Sequence, residues 1–123
     1  MNDVALIETN IALPTRRDVL KLHFYAKLLA KGVDAYPSDI DILVELYIRN
    51  GYGSKEEMEG LYSYCVDNKL RGPKQSFFNT ITKYVNNGVI LKEGRHKRKI
   101  NPELVPPTSS KFLALTYKVI NKG

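Results

Sequence analysis

Cysteine is nearly absent from this chain, and that absence excludes several chemistries at once. One cysteine in 123 residues, Cys65, leaves no internal disulfide and no set of thiolates for a metal. It falls on the apolar side of an expected helix, where a buried, inert thiol is the expectation. Histidine is scarce as well. His23 and His96 stand far apart without ligand-spaced neighbours, so neither a metal site nor a cofactor is expected. No apolar run reaches membrane-spanning length, and the opening residues MND do not have the pattern of a secretory signal. A soluble cytoplasmic protein is expected, with no membrane partner. A glycine-rich phosphate loop, a nucleophile elbow and a metal motif are all missing. The carboxylate pairs Asp39/Asp41, Glu56/Glu57 and Glu57/Glu59 sit where helices begin, where they fit charge compensation better than acid–base work. The chain is therefore expected to be no enzyme and to take no small-molecule substrate.

What is present is an ordinary globular composition, 43% hydrophobic and 26% charged, in a chain long enough for one core. The net charge of +6 is distributed unevenly. Residues 1–61 hold 7 Lys/Arg against 10 Asp/Glu, and residues 62–123 hold 12 against 3. Between Lys69 and Lys99 nine basic residues face one acid, Glu93. Charge concentrated in this way points to a polyanionic partner; the bland alternative is a solvated basic face that aids solubility.

Periodicity divides the chain into an arm, four helices, a hairpin, a loop and a strand. In residues 4–13, VALIETNIAL, alternate apolar positions read as a short strand or docked arm. Pro14 and Thr15 open a helix over 15–31, with Asp18 placed as a capping-box partner and Gly32 closing it. Val19, Leu22, Ala26 and Leu29 line one side of it, and Leu20, Phe24 and Leu28 widen the stripe. Ser38 with Asp41 marks a second start, for a helix over 39–50 that buries Ile40, Leu43, Val44 and Tyr47. Ser54 with Glu57 is the clearest capping box, heading a helix over 55–67 with Met58, Leu61, Tyr62 and Cys65 at helical spacing. After the turn NKLRGP a fourth helix runs over 74–86. Residues 89–92 and 96–100 read as strands around a tight turn at 93–95. Residues 101–110 are a loop with room for one helical turn, and 112–120 read as a final strand.

The stretch KQSFFNTITKYVNNGVILKEGRHKRKI holds the strongest functional signal. In the fourth helix Phe77, Phe78, Ile81, Tyr84 and Val85 form a wide apolar stripe. The other face offers Gln75, Ser76, Asn79, Thr80, Lys83 and Asn86, with Lys74 at the start where free N–H groups favour an anion. Asn and Gln pair bidentately with adenine, Ser and Thr reach phosphates or bases, and no acid interrupts residues 68–92. Lys92, Arg95, Lys97, Arg98 and Lys99 crowd a hairpin with Gly94 at its tip, suited to backbone tracking or to a narrow A·T minor groove. Alternation places Lys97 and Lys99 on one face and Arg98 on the other. Duplex DNA bound through about four or five phosphates is the expected partner, with log affinity falling against log salt at a slope near −4.

Three helices before a basic hairpin, carried by SDIDILVELYIRNG, GPKQSFFNTITKYVNNGVI and LKEGRHKRKINPEL, resemble the winged helix-turn-helix superfamily over about residues 38–105. The pattern is similar to the multiple-antibiotic-resistance regulators and to short winged-helix proteins of tailed, crAss-like bacteriophages. The resemblance implies a mainly α fold with a small β-sheet, in which 74–86 is a recognition helix and 89–100 a wing. Residues 1–37 would then be an N-terminal arm and helix for oligomerisation or docking, and 38–123 the winged-helix domain. It implies a DNA-binding regulator, in the host cytoplasm if phage-encoded. The alternative is a structural virion protein, a collar, connector or capsid-associated component whose basic face meets an acidic protein surface. Ile7, Ile11 and Leu13 of the arm are the expected contacts to a neighbouring subunit, in a homo-oligomer or a larger assembly.

Overall fold

The computed structural model describes residues 15–106. Contacts divide the chain into two compact units, Met1–Asp34 with Pro106–Gly123, and Ala35–Val105. The second unit begins at Ala35 and stops at Val105. The arm over 4–13, with Ile7, Ile11 and Leu13, and the strand over 112–120 lie outside the described residues.

In the first unit, helix α1 spans Arg16–Ala30. The Thr15 hydroxyl accepts from the Asp18 backbone N–H at 3.1 Å and donates to the Asp18 carboxylate at 2.8 Å. This is a capping pair of the kind the spacing predicts. Its buried side is Leu20, His23, Phe24 and Leu28, whereas Leu29 is 64% exposed. The buried face is thus centred on the residues expected only to widen the stripe. A stripe of seven apolar positions has two possible centres, and periodicity alone does not choose between them.

The second unit holds α2 (Pro37–Ile48), α3 (Lys55–Asp67), α4 (Lys74–Asn86) and a two-stranded antiparallel sheet. Its strands are β1 (Ile90–Lys92) and β2 (Arg98–Ile100), in register Ile90↔Ile100, Leu91↔Lys99 and Lys92↔Arg98. The architecture is mainly helical with a small hairpin. Helix α3 packs on both α2 and α4, α4 on β1, and α2 on β2. The core draws Leu43 and Leu46 from α2, Leu61 and Cys65 from α3, Phe77, Ile81 and Tyr84 from α4, and Ile90 and Ile100 from the hairpin. Burial pushes the Cys65 thiol up to about 11, so it stays protonated and inert. Helix α2 is the apolar centre, with Ile40, Ile42, Leu43, Val44 and Leu46 all buried.

The helix ends show how much of this is local. All four described helices close in one motif, in which the second residue past the C-cap donates back to the carbonyl five positions earlier. The bonds are Val33 to Leu28 (2.9 Å), Gly51 to Leu46 (2.8 Å), Leu70 to Cys65 (2.8 Å) and Val89 to Tyr84 (2.9 Å). Glycine holds the left-handed position in α1 and α4, Asn50 in α2 and Lys69 in α3. The starts differ. Ser54 caps α3, its hydroxyl accepting from the Glu57 N–H at 3.1 Å, while the Glu57 carboxylate accepts from Gly53 at 2.7 Å. Helix α2 begins two residues earlier than expected, with Pro37 in its first turn and no side-chain cap. Ser38 and Asp41 are not a capping pair: Ser38 accepts from Arg71 at 3.0 Å and Asp41 from the Tyr64 hydroxyl at 2.8 Å.

Between α2 and α3 the chain makes one further sheet contact. Tyr52 and Arg98 exchange both backbone hydrogen bonds at 2.9 Å, so a third short segment joins the hairpin. Gly51 makes this possible. Its φ is +81°, and a Cβ there would stand 2.5 Å from the Arg98 carbonyl oxygen. After β2, Pro102–Leu104 form a 3₁₀ turn that buries Leu104. Asn101 fastens this turn, donating to the Gly88 carbonyl at 2.9 Å and accepting from the Glu103 N–H at 2.9 Å.

Candidate nucleic-acid interface

Helix α4 has three distinct faces. Phe77, Ile81 and Tyr84 point into the core, and Thr80 is buried with them at 7% exposure. The outward row is Gln75, Asn79, Thr82 and Asn86, all exposed and spaced i, i+4, i+7, i+11. Ser76 and Lys83 lie half-buried on one flank of this row and Phe78 on the other. Thr80 is therefore no surface contact, and Thr82 stands where it was expected. The sequence carried that signal, since a row begun at Gln75 passes through 82 and not 80.

The outward row is chemically specific. Gln75 Nε2 donates to Asn79 Oδ1 at 2.9 Å, which ties the two amides together. The remaining amide atoms, Gln75 Oε1 and Asn79 Nδ2, offer an acceptor and a donor side by side. Adenine presents the complementary pair in the major groove, its N6 donor and N7 acceptor.

A buried carboxylate, which sequence reasoning assigned to helix-start compensation, fixes where α4 sits. Asp39, 2% exposed, accepts from the Arg71 guanidinium, from the Tyr84 hydroxyl at 2.6 Å and from Lys83 Nζ at 3.5 Å. Arg71 also donates to Thr80 Oγ1 at 2.9 Å, Ser38 Oγ at 3.0 Å and the Leu70 carbonyl at 2.6 Å. Three donors on one acid, with Ser38 and Thr80 completing the guanidinium, make a satisfied buried network. It joins the start of α2 to the α3–α4 turn and to α4 itself. Tyr62 adds a second tie, its hydroxyl donating to the Gly72 carbonyl at 2.6 Å. Lys74, expected at an anion site, instead pairs with Glu59 and lies 5.6 Å from the Tyr62 ring centroid. Lys83 stands 5.4 Å from the ring of Tyr36, a residue 67% exposed that the sequence did not single out.

The hairpin divides its cations differently. Its connection runs over five residues, 93–97, longer than the tight turn expected at 93–95. Arg98 explains the length: its guanidinium donates to the carbonyls of Gly94 (3.1 Å) and Lys97 (3.0 Å), holding an open loop shut. Arg98 is thus half-buried and structural. Glu93 accepts from Lys99 at 3.1 Å and lies 3.8 Å from Lys97, so the alternation that put these two lysines on one face holds. Lys92 and Arg95 are exposed, and among the described residues neither side chain has an ion pair. His96 is exposed beside them. Burial raises the Tyr52 phenol above its usual range, against a smaller opposing effect of the Arg98 charge, so it stays neutral at the base of the hairpin.

Among the described residues no group of three His, Cys, Asp or Glu side chains could hold a metal ion, and no helix is long and apolar enough to cross a membrane. Comparison with protein-family models, with curated proteins and with solved structures found no match.

Proposed function

We propose that the protein binds duplex DNA through a winged helix-turn-helix module formed by residues 35–105. Helix α4 enters the major groove and the β1–β2 hairpin follows the adjoining backbone. The order of elements supports this reading: helix, short paired segment at Tyr52, helix, helix, hairpin. One observation carries it. The tied amides of Gln75 and Asn79, with Thr82 and Asn86, form an acid-free outward row on the helix that packs against β1, and two cations of the hairpin, Lys92 and Arg95, are exposed without an ion pair among the described residues. Amides read bases, and the cations position the backbone.

Internal pairing sets the expected strength. Lys92 and Arg95 contribute two charges, and Lys97 with Lys99 share Glu93, leaving one more. With about three phosphates neutralised, log affinity falls against log salt at a slope of about −3, shallower than the count along the sequence implies. Fluorescence anisotropy with a labelled duplex, from low to physiological salt, tests this. A flat salt dependence, or no binding at low salt, removes the proposal.

A further inference from the structure

The second unit contains a groove that the DNA-facing row does not use. It has a volume of about 380 Å³ and lies between the start of α3, the Phe78 flank of α4 and the hairpin. Its floor is apolar: Tyr52 is buried, and Met58 and Phe78 are half-buried. Its rim is cationic, with Lys55 on one side and Arg95 with His96 on the other, both sides exposed. Arg98 contributes from the hairpin base, and no Asp or Glu lines the groove.

Those two properties together select an occupant. A phosphate alone gains from the rim but has no use for Met58 and Phe78. An uncharged apolar segment gains from the floor but leaves the rim uncompensated. The volume is in the range that takes a single large side chain with its neighbours. The start of α3 at this wall is already capped by Ser54 and Glu57, so the preference for an anion rests on the rim cations. Floor and rim act on the same short segment.

We infer that this groove docks an acidic peptide segment of a partner protein, seating one aromatic or large aliphatic side chain on Met58 and Phe78 while flanking carboxylates meet Lys55 and Arg95. The site is distinct from the Gln75–Asn86 row and does not require that row to read DNA. Arg95 is common to both surfaces, so peptide and duplex compete for the hairpin. A partner carrying such a segment would weaken DNA binding by occupying the groove.

The test uses the full chain without DNA and a fluorescein-labelled peptide in which one Phe is flanked on each side by Glu and Asp. Saturable one-to-one binding is expected, falling at least tenfold when the Phe becomes Ala and several-fold when salt is raised from low to physiological. Lys55→Glu is the informative variant. An acid in the first turn of α3 is compatible with the helix, so the fold persists while the rim is reversed. That variant should lose peptide binding at least tenfold and keep its duplex affinity within about twofold. Equal binding of the Phe and Ala peptides would show charge attraction alone and overturn the inference. So would unchanged peptide affinity in Lys55→Glu, or no peptide binding at low salt. If peptide binds as described and duplex does not, the DNA proposal fails and the groove stands. If duplex binds and the peptide does not, the groove fails alone.

Discussion

The two flanks of α4 both carry basic side chains and use them in opposite ways. On one flank Arg71 and Lys83 converge on the buried carboxylate of Asp39, with Thr80 drawn inward to complete the guanidinium. On the other, Lys92 and Arg95 stand exposed on a hairpin whose shape is kept by a different residue, Arg98. One flank places the helix and the other presents charge. Cations counted along a sequence are therefore not cations available to a partner, because an acid far away in the chain can claim them.

Removing the acid breaks the comparison most severely. Asp39→Ala leaves the Arg71 guanidinium buried without its carboxylate and the Tyr84 hydroxyl without its acceptor. A loss of about 3–5 kcal/mol is expected in chemical denaturation. Gly51→Ala strikes the other flank at its base, demanding a left-handed alanine and driving a methyl into the Arg98 carbonyl. About 1–3 kcal/mol is expected from backbone strain alone, more with the clash, and a near-neutral result would mean that the Tyr52–Arg98 pairing is dispensable.

Smaller changes sharpen the contrast. Thr80→Val should cost about 1–3 kcal/mol of stability through the unsatisfied Arg71 N–H, and leave any site preference intact. Asn79→Ala should do the reverse, leaving denaturation midpoints within about 0.5 kcal/mol and flattening discrimination at one base pair by about 1–3 kcal/mol. Smallest of all is Glu93→Gln, which frees a hairpin charge and should steepen the salt slope by about one; Arg95→Ala should make it shallower by about one. If both leave the slope unchanged in anisotropy titrations, the hairpin is not on the DNA.

What could be read in advance followed from how local each cause is. Helices over 55–67 and 74–86 were legible to the residue, because Ser54 and Glu57 cap one and Gly72–Pro73 and Gly88 bracket the other. The 3₁₀ turn after Asn101 falls inside 101–110, where the sequence showed only a loop with room for one helical turn. The Asp39 network was not. An acid in the first turn of a helix has a sufficient local explanation, and its true partner Arg71 lies 32 positions away. Nothing local to Ser38–Asp41 marks that pairing, and the same pair imitated a capping box while its side chains served Arg71 and Tyr64. Thr80 and Thr82 flank Ile81 symmetrically, so the edge of the apolar stripe stayed ambiguous until Arg71 pulled one of them inside. Arg98 looked like one more free charge because its acceptors are backbone carbonyls, which no composition reveals.

The central claim is that the outward row of α4 and the hairpin tip together meet duplex DNA, while the Asp39 flank holds the helix in place. Amide chemical-shift mapping of the labelled protein during a duplex titration at low salt tests it most directly. The account predicts the largest shifts at Gln75, Asn79, Thr82, Asn86 and Lys92–Arg95, with Asp39 and Thr80 little changed. Shifts concentrated elsewhere, or none at a duplex excess, would contradict it.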